Sequence, residues 1–481
     1  MHVHTRLYTN GDWLDPLGDA TIDVVSPYTE QIVGRVPDGT PADIERAVAA
    51  ARAAFDTGPW PRLPVADRAA VLDRAADLLE RRAAEVGALI IAEMGSPASF
   101  VATGQVPVPI AFLRAAAALG REFPFEERLD GGDGGSTLVL QEPVGVVGCI
   151  VPSNFPLLLA AAQIAPAIVA GCCVVLKPAP ESPLDTYVLA EVLQEAGLPP
   201  GVVNIVPGGS VAGTRLVRHP DVDKVAYTGS AAVGRQVASW CGERLARVSL
   251  ELGGKSAAIV LDDAPLEQTV AGLLPMAFLN SGQACVAQTR ILVSRSRRDE
   301  FVEAFAEATA AMTIGDPADL GTQIGPLLAR RQRDRVESYL DLGRDAGAKV
   351  VVGGGRPASQ PRGWFVEPTL FVDVDNSMRI AREEIFGPVV CVLDYDDPAE
   401  AVAIANDSEY GLSGSVWTAD VAAGIDIARR VRTGMVSVNG AFQSPDAPFG
   451  GYKNSGIGRE CGTAGLSLYL ESKSVGLPPS S

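Results

Sequence analysis

A chain of 481 residues is long enough for about three domains, and 47% hydrophobic against 20% charged residues provides for a large globular core. The formal net charge of −18, with no Lys/Arg cluster, argues against nucleic acid as a partner and favours solubility. Seven cysteines without regular spacing are not a disulfide framework and point to a reducing, cytoplasmic compartment.

The lead from Met1 to Arg6 has no apolar core, so no secretory signal is expected. After it the first hundred or so residues read as largely helical. Thr40 caps, Pro41 takes the first helical position and Asp43 lies in the first turn, which predicts a helix from about Pro41 to Phe55. Ala/Leu/Val alternating with charged residues at helical spacing predicts another from about Val65 to Glu93. Gly131-Gly132-Asp133-Gly134-Gly135 is a turn-rich break, and extended chain then flanks Pro143. The part before that proline is expected to lie outside the main sheet.

From Val146 the pattern repeats, with strands expected over 145–151, 173–177, 202–206, 222–228 and 247–251 and helices between them. Such alternation implies βαβ units and a parallel sheet, whose ligands gather at the carboxyl ends of the strands. Phe155 to Leu176 is uncharged and long enough to cross a bilayer, but Gln163, Pro166 and Gly171 divide it into a helix and a buried strand. No membrane partner is expected. A second α/β run has strands near 289–293, 349–352, 389–394, 413–417 and 435–438. Residues 448–458 are too glycine-rich for a regular element and predict an ordered loop. Leu466 to Val475 alternates as a strand that needs a partner, either the extended chain before Pro143 or another subunit.

The chemistry concentrates between Val248 and Arg290. Glu251 stands beside Gly253 and Gly254, and Cys285 follows Gly282 where a helical run gives way to polar chain. A cysteine is nucleophilic as its thiolate, which requires a base or an electropositive setting. Free cysteines are more often small buried apolar side chains, and Cys149, Cys172, Cys173 and Cys391 lie in apolar runs, while Cys241 lies on a helical pattern. Four strand ends converge on the same region: Pro152-Ser153-Asn154, Lys177-Pro178, Thr228-Gly229-Ser230 and Glu251. Gly229 to Gly234 reads either as a phosphate cradle at a helix N-terminus or as a plain strand-to-helix turn. Lys177 reads either as an exposed strand-end lysine or as a ligand of ribose hydroxyls.

Seven blocks carry a resemblance: PSNFP at 152–156, LKP at 176–178, YTGS at 227–230, LELGGKS at 250–256, NSGQAC at 280–285, EEIFGPV at 383–389 and PFGGYKNSGIGRE at 448–460. Together, and in this order, they resemble the NAD(P)-dependent aldehyde dehydrogenase superfamily over nearly the whole chain. The resemblance implies an α/β fold: a Rossmann-like parallel-sheet NAD(P) domain (1–122 and 144–253), an α/β catalytic domain (254–455) and a small β oligomerisation element (123–143 and 456–481). It implies Cys285 as nucleophile and Glu251 as base for the deacylating water. Asn154 with the Cys285 main-chain N–H becomes the oxyanion hole. Glu460 resembles a second, proton-relaying acid, with a buried arginine ion pair as the other reading.

For the cofactor, Ser230 is assigned to the pyrophosphate, Lys177 to the adenosine ribose, and Glu384 and Phe386 to the nicotinamide ribose and ring. Ile150, Val151, Pro152, Pro180, Gly213, Gly229, Val233, Leu252 and Gly253 complete that seat. The cofactor is expected to be NAD, with NADP as the alternative. No metal ligands are assigned, and a homodimer or homotetramer is expected.

Two departures bear on specificity. Pro180 stands where NAD-preferring members carry a glutamate, with Glu181 one place on, and Ser153 replaces a frequent tryptophan. Ala162 and Leu279 likewise stand where bulkier aromatics occur. A roomier apolar tunnel follows, suited to medium or long aliphatic, terpenoid or aromatic aldehydes. The rivals are a CoA-acylating dehydrogenase, which needs no Glu251; a cofactor-binding structural protein, which needs no Cys285; and a cysteine hydrolase, which leaves the nucleotide motifs unexplained.

Overall fold

The computed structural model describes residues 1–131 and 135–479; the centre of the Gly131 to Gly135 break lies outside the described residues. Two open sheets dominate. The first has eight strands, with a parallel core in the order Arg247–Glu251, Lys224–Thr228, Val146–Ile150, Cys173–Lys177 and Val203–Ile205. Four of these are short, mainly apolar runs buried on both faces, as parallel strands covered by helices require, and Arg247–Glu251 is buried from Ser249 onward. Strand order reverses between Val146–Ile150 and Lys224–Thr228, so the crevice of a doubly wound sheet opens at their carboxyl ends.

The second sheet has seven strands, in the order Lys349–Val352, Thr369–Val372, Val389–Tyr395, Arg290–Ser294, Ala257–Val260, Gly414–Trp417 and Ser437–Val438. Only the Lys349–Val352 edge is antiparallel. The chain passes from the carboxyl end of one sheet to the amino end of the other through Leu252-Gly253-Gly254-Lys255-Ser256. That short link brings the carboxyl ends of the first sheet close to the amino ends of the second. A third, antiparallel sheet pairs Ser136–Pro143 with Glu126–Asp130 on one side and Leu470–Leu477 on the other. The terminal strand therefore finds its partner within its own chain, before Pro143.

The uncharged run from Phe155 to Leu176 is a buried helix, Pro156–Ala170, followed by the buried strand Cys173–Lys177. Helix Pro41–Asp56 carries a complete capping box between Thr40 and Asp43. Four expectations are corrected. The first 37 residues are not helical: they form five strands of two to six residues, of which Leu7–Thr9 and Asp12–Leu14 extend one edge of the eight-stranded sheet, while His2–Val3, Thr21–Val25 and Ile32–Pro37 form a three-stranded sheet of their own. The helix predicted from Val65 to Glu93 breaks at Arg82 (φ −99°, ψ 12°), because Val65–Arg81 packs mainly on Pro107–Glu122 while Ala83–Met94 turns toward Leu184–Glu195. The glycine-rich loop contains a short strand, Gly456–Ile457, held by pairing with Arg247–Glu251. Leu466 lies within a helix, Gly462–Ser467, and the last strand starts at Leu470. Two buried strands, Ala257–Val260 and Thr369–Val372, were not foreseen.

Candidate active site

A cavity of about 330 Å³ occupies the cleft between the sheets. Its wall brings together Pro152, Asn154, Gly229, Ser230, Glu251, Leu252, Gly253, Cys285, Glu384 and Phe386 from the sequence-derived set. The first sheet contributes from strand carboxyl ends. Cys285 precedes Arg290–Ser294 and Glu384 and Phe386 precede Val389–Tyr395, so the second sheet contributes from strand amino ends.

Cys285 is carried by an unusual turn. Asn280, Ser281 and Gly282 are all left-handed, with φ of 53°, 59° and 74°. The strain of two non-glycine residues there, of order 1–3 kcal/mol each, is held by buried hydrogen bonds: Ser281 Oγ donates to Gly325 O (3.1 Å), and Gln283 Nε2 to Asn280 O (3.2 Å). A Cβ on Gly254 would sit 2.4 Å from Cys285 O, and one on Gly282 would sit 2.1 Å from Gly387 O. Glycine is required at both, since the Cys285 turn packs directly on the Glu251 loop and on the Phe386 loop.

Asn154 lies after strand Val146–Ile150, and its Nδ2 donates to Gln283 O at 3.0 Å. An amide nitrogen has two hydrogens, so one remains for a ligand. Glu251 is 4% exposed, and its Oε2 has no hydrogen-bond partner among the described residues. Burial, reinforced by the charge of Glu460, raises its pKa well above the usual carboxylate range, with Arg459 opposing. Glu460 is buried and pushed up to about 7 by its burial, while Lys224 and a hydrogen bond from Gln163 oppose the shift. Arg459 donates to Gly451 O and Gly458 O rather than pairing with Glu460. Burial, then the charges of Glu384 and Glu251, pushes the Cys285 thiol up and works against its thiolate form.

Ser230 caps helix Ala231–Glu243, its Oγ accepting from Val233 N at 3.4 Å. That helix starts at the strand-order reversal, where free amides and the dipole favour an anion. Glu384 Oε1 accepts from Gly254 N at 3.1 Å, and burial pushes its carboxyl up to about 7. Lys177 is not the exposed strand-end lysine: its Nζ is buried and donates to Pro178 O and Gly208 O, both 2.8 Å. Gly213 lies over its side chain, and a Cβ there would meet Lys177 Cδ at 3.5 Å. Ile150 and Val151 are buried at the strand end, Val233 is exposed on its helix, and Pro180 adjoins Glu181, which pairs with Arg331 at 2.5 Å.

Thr228, named as a strand end but given no role, also lines the cavity, as do Leu159, Gln332 and Arg335, which were missed. Gln332 Nε2 donates to Ile385 O (3.1 Å) and Phe386 O (2.7 Å), and Arg335 Nη2 to Glu384 O (2.7 Å). Their helix, Arg330–Asp345, reads in sequence as a solvated charged face, which hides the two. Beyond the cleft, Ala162 lines a separate apolar cavity of about 30 Å³ with Phe112, Leu119, Pro166 and Cys461. Ser153 is buried behind the cleft, and Leu279 packs against the core of the first sheet.

The aldehyde dehydrogenase family model matches residues 13–475. Geranial dehydrogenase of Castellaniella defragrans is 47% identical over 472 residues, 98% of each chain. An aldehyde dehydrogenase of Mycobacterium tuberculosis complexed with NAD+ superposes with a TM-score of 0.98 at 47% identity, covering 100% of this chain and 99% of that one. A mutant of aldehyde dehydrogenase C from Pseudomonas syringae, complexed with NAD+ and octanal, does so with a TM-score of 0.95 at 42% identity, covering 98% and 96%.

Proposed function

The chain belongs to the aldehyde dehydrogenase family, and from that premise we propose that it oxidises apolar aldehydes of medium or long aliphatic, terpenoid or aromatic type to carboxylic acids with NAD+. The observation that carries the reading is the meeting of Cys285, Asn154 and Glu251 with Ser230, Glu384 and Phe386 in one cavity. The cofactor fits what is there: a helix N-terminus capped by Ser230, a carboxylate at Glu384, and Gly253, where a Cβ would collide with Glu384 Oε2. NAD+, when bound, supplies the hydride acceptor.

The protein's own groups do the rest. The Cys285 thiol gives up its proton to solvent, the thiolate sulfur adds to the aldehyde carbon, and the Asn154 amide and the Cys285 main-chain N–H donate to the oxyanion. Loss of hydride from that carbon leaves a thioester on Cys285. Glu251 takes a proton from water as the water oxygen attacks, and the acid departs with the thiolate restored. Glu460, close enough to raise the Glu251 pKa, is the second acid through which the proton passes on. Residues 1–122 and 144–253 form the cofactor domain, 254–455 the catalytic domain, and 123–143 with 456–481 the oligomerisation strands.

The apolar lining beside Ala162 supports a hydrocarbon tail. The named activity of the geranial dehydrogenase relative and the octanal in the Pseudomonas syringae complex support the same class.

The test is reduction of NAD+ and NADP+ with geranial, octanal, benzaldehyde and succinic semialdehyde, for the wild type and Cys285→Ala. NADH formation with the apolar aldehydes, abolished in the variant, is expected. Activity confined to the charged semialdehyde would overturn the substrate class, and ester hydrolysis with no cofactor reduction would overturn the redox reading.

A further inference from the structure

The Asn154 main chain is held more firmly than its side chain. Its carbonyl oxygen accepts two side-chain amides, Gln105 Nε2 at 2.9 Å and Asn280 Nδ2 at 3.0 Å, which together occupy both lone pairs. The neighbouring Ser153 O accepts from Ser182 Oγ at 3.1 Å. Asn280 belongs to the left-handed turn that carries Cys285, and its Oδ1 accepts from Ser96 Oγ at 2.9 Å. Gln105 comes from elsewhere. It ends a single π-helical turn, Val101–Gln105, in which Val106 N bonds Val101 O at 3.2 Å. Such turns are rare and mark functional sites. The side chain is fully buried, Phe100 at the start of the turn meets Phe155 edge-on at 6.0 Å, and nothing from Gln105 reaches the cavity itself.

We propose that Gln105, presented by this π-turn, is a positioning residue that fixes the Asn154 peptide and so aims the free hydrogen of the Asn154 amide at the oxyanion. The proposal rests on the reading of Asn154 given above. With both carbonyl lone pairs filled, the peptide plane cannot rotate without breaking a buried hydrogen bond, and the Asn154 Cα–Cβ direction is set with it. Asn280 ties that direction to the nucleophile's turn; Gln105 ties it to the helical layer behind.

Gln105→Met keeps the volume and removes the donor. Two readouts follow acylation: the pre-steady-state NADH burst, and hydrolysis of p-nitrophenyl acetate without cofactor. Both are expected to fall about 10-fold or more, the scale on which misplaced catalytic groups act, with the NAD+ dissociation constant unchanged. In an Asn154→Ala background Gln105→Met should add nothing, because its effect passes through Asn154. An undiminished burst in Gln105→Met, beside a lost burst in Asn154→Ala, overturns the proposal and spares the Asn154 reading. An equal further loss in the Asn154→Ala background overturns it as well, by showing a merely structural role. A full burst in Asn154→Ala removes the premise and the proposal together.

Should Gln105→Met not fold, Gln105→Glu carries the test. Its carboxyl donates to Asn154 O only while protonated, so its acylation rate relative to the wild type falls as pH rises. A ratio flat in pH overturns the proposal.

Discussion

The two open sheets reach the same cavity from opposite ends. The first delivers Asn154, Ser230 and Glu251 from strand carboxyl ends at a reversal of strand order, the place where doubly wound sheets gather ligands. The second delivers Cys285, Glu384 and Phe386 from loops that precede its strands. General rules of sheet topology locate the first set. The second set is held by close main-chain approach and left-handed turns, so its precision depends on glycines and buried hydrogen bonds rather than on strand direction. Damage to the first sheet's groups should therefore change chemistry and leave folding intact, while damage at the second sheet's turns should cost both.

The largest expected effect tests the chemistry side. Glu251→Gln removes the base and keeps the shape, so the first-turnover NADH burst should persist while steady-state turnover falls about 10²–10⁴-fold, the usual contribution of a general base. Stopped-flow and steady-state measurements on one preparation separate the two. A variant that loses the burst as well would make Glu251 the activator of Cys285.

Next in size is Gly282→Ala, on the folding side. The added Cβ would lie 2.1 Å from Gly387 O on a backbone at φ 74°. Overpacking and backbone strain together should destabilise by about 2–4 kcal/mol in urea unfolding. Unchanged stability would mean that the two loops separate freely, and the contrast between the sheets would fail.

The same contrast explains what was legible in the sequence. The parallel strands of the first sheet follow from short apolar runs, and Asn154, Ser230 and Glu251 from where those runs end. Cys285 stood out by its polar setting after Gly282, but Glu384 and Phe386 were reached only through the resemblance, because no periodicity marks a loop before a strand. Gln332, Arg335 and Gln105 were invisible for a related reason. The first two sit on a helix that looks solvated, and the third on an apolar stretch whose π-turn depends on tertiary packing. The five N-terminal strands were lost because strands of two to six residues, two on the edge of the large sheet and three in a small sheet of their own, take their register from their partners.

A smaller effect concerns pH and the pair of buried acids. In the proposed mechanism deacylation uses the Glu251 carboxylate, whose pKa is raised by burial and then by the charge of Glu460. A raised pKa keeps the base protonated at mildly acidic pH, so deacylation should climb with rising pH along a limb above the usual carboxylate range. In Glu460→Gln the repulsion is gone, and the limb should move to lower pH. A limb that stays in place would show that burial alone sets the Glu251 pKa.

The smallest expected effect lies on the second sheet's side, at Arg335. Its guanidinium donates to Glu384 O at 2.7 Å and its side chain lines the cavity. Arg335→Ala removes a charge-assisted hydrogen bond to a loop also held by Gln332, whose amide bonds the two carbonyls that follow. One remaining anchor limits the loss to about 1–2 kcal/mol, read as a several-fold to 30-fold rise in the KM for NAD+ with kcat little changed. Because Cys285 is seated by Gly282 against Gly387, and not by Arg335, ester hydrolysis without cofactor should be unaffected. Equal loss in both assays would mean that the Glu384 to Phe386 loop positions the nucleophile as well as the nicotinamide ribose, and the two halves of the second sheet's contribution would be one structural unit.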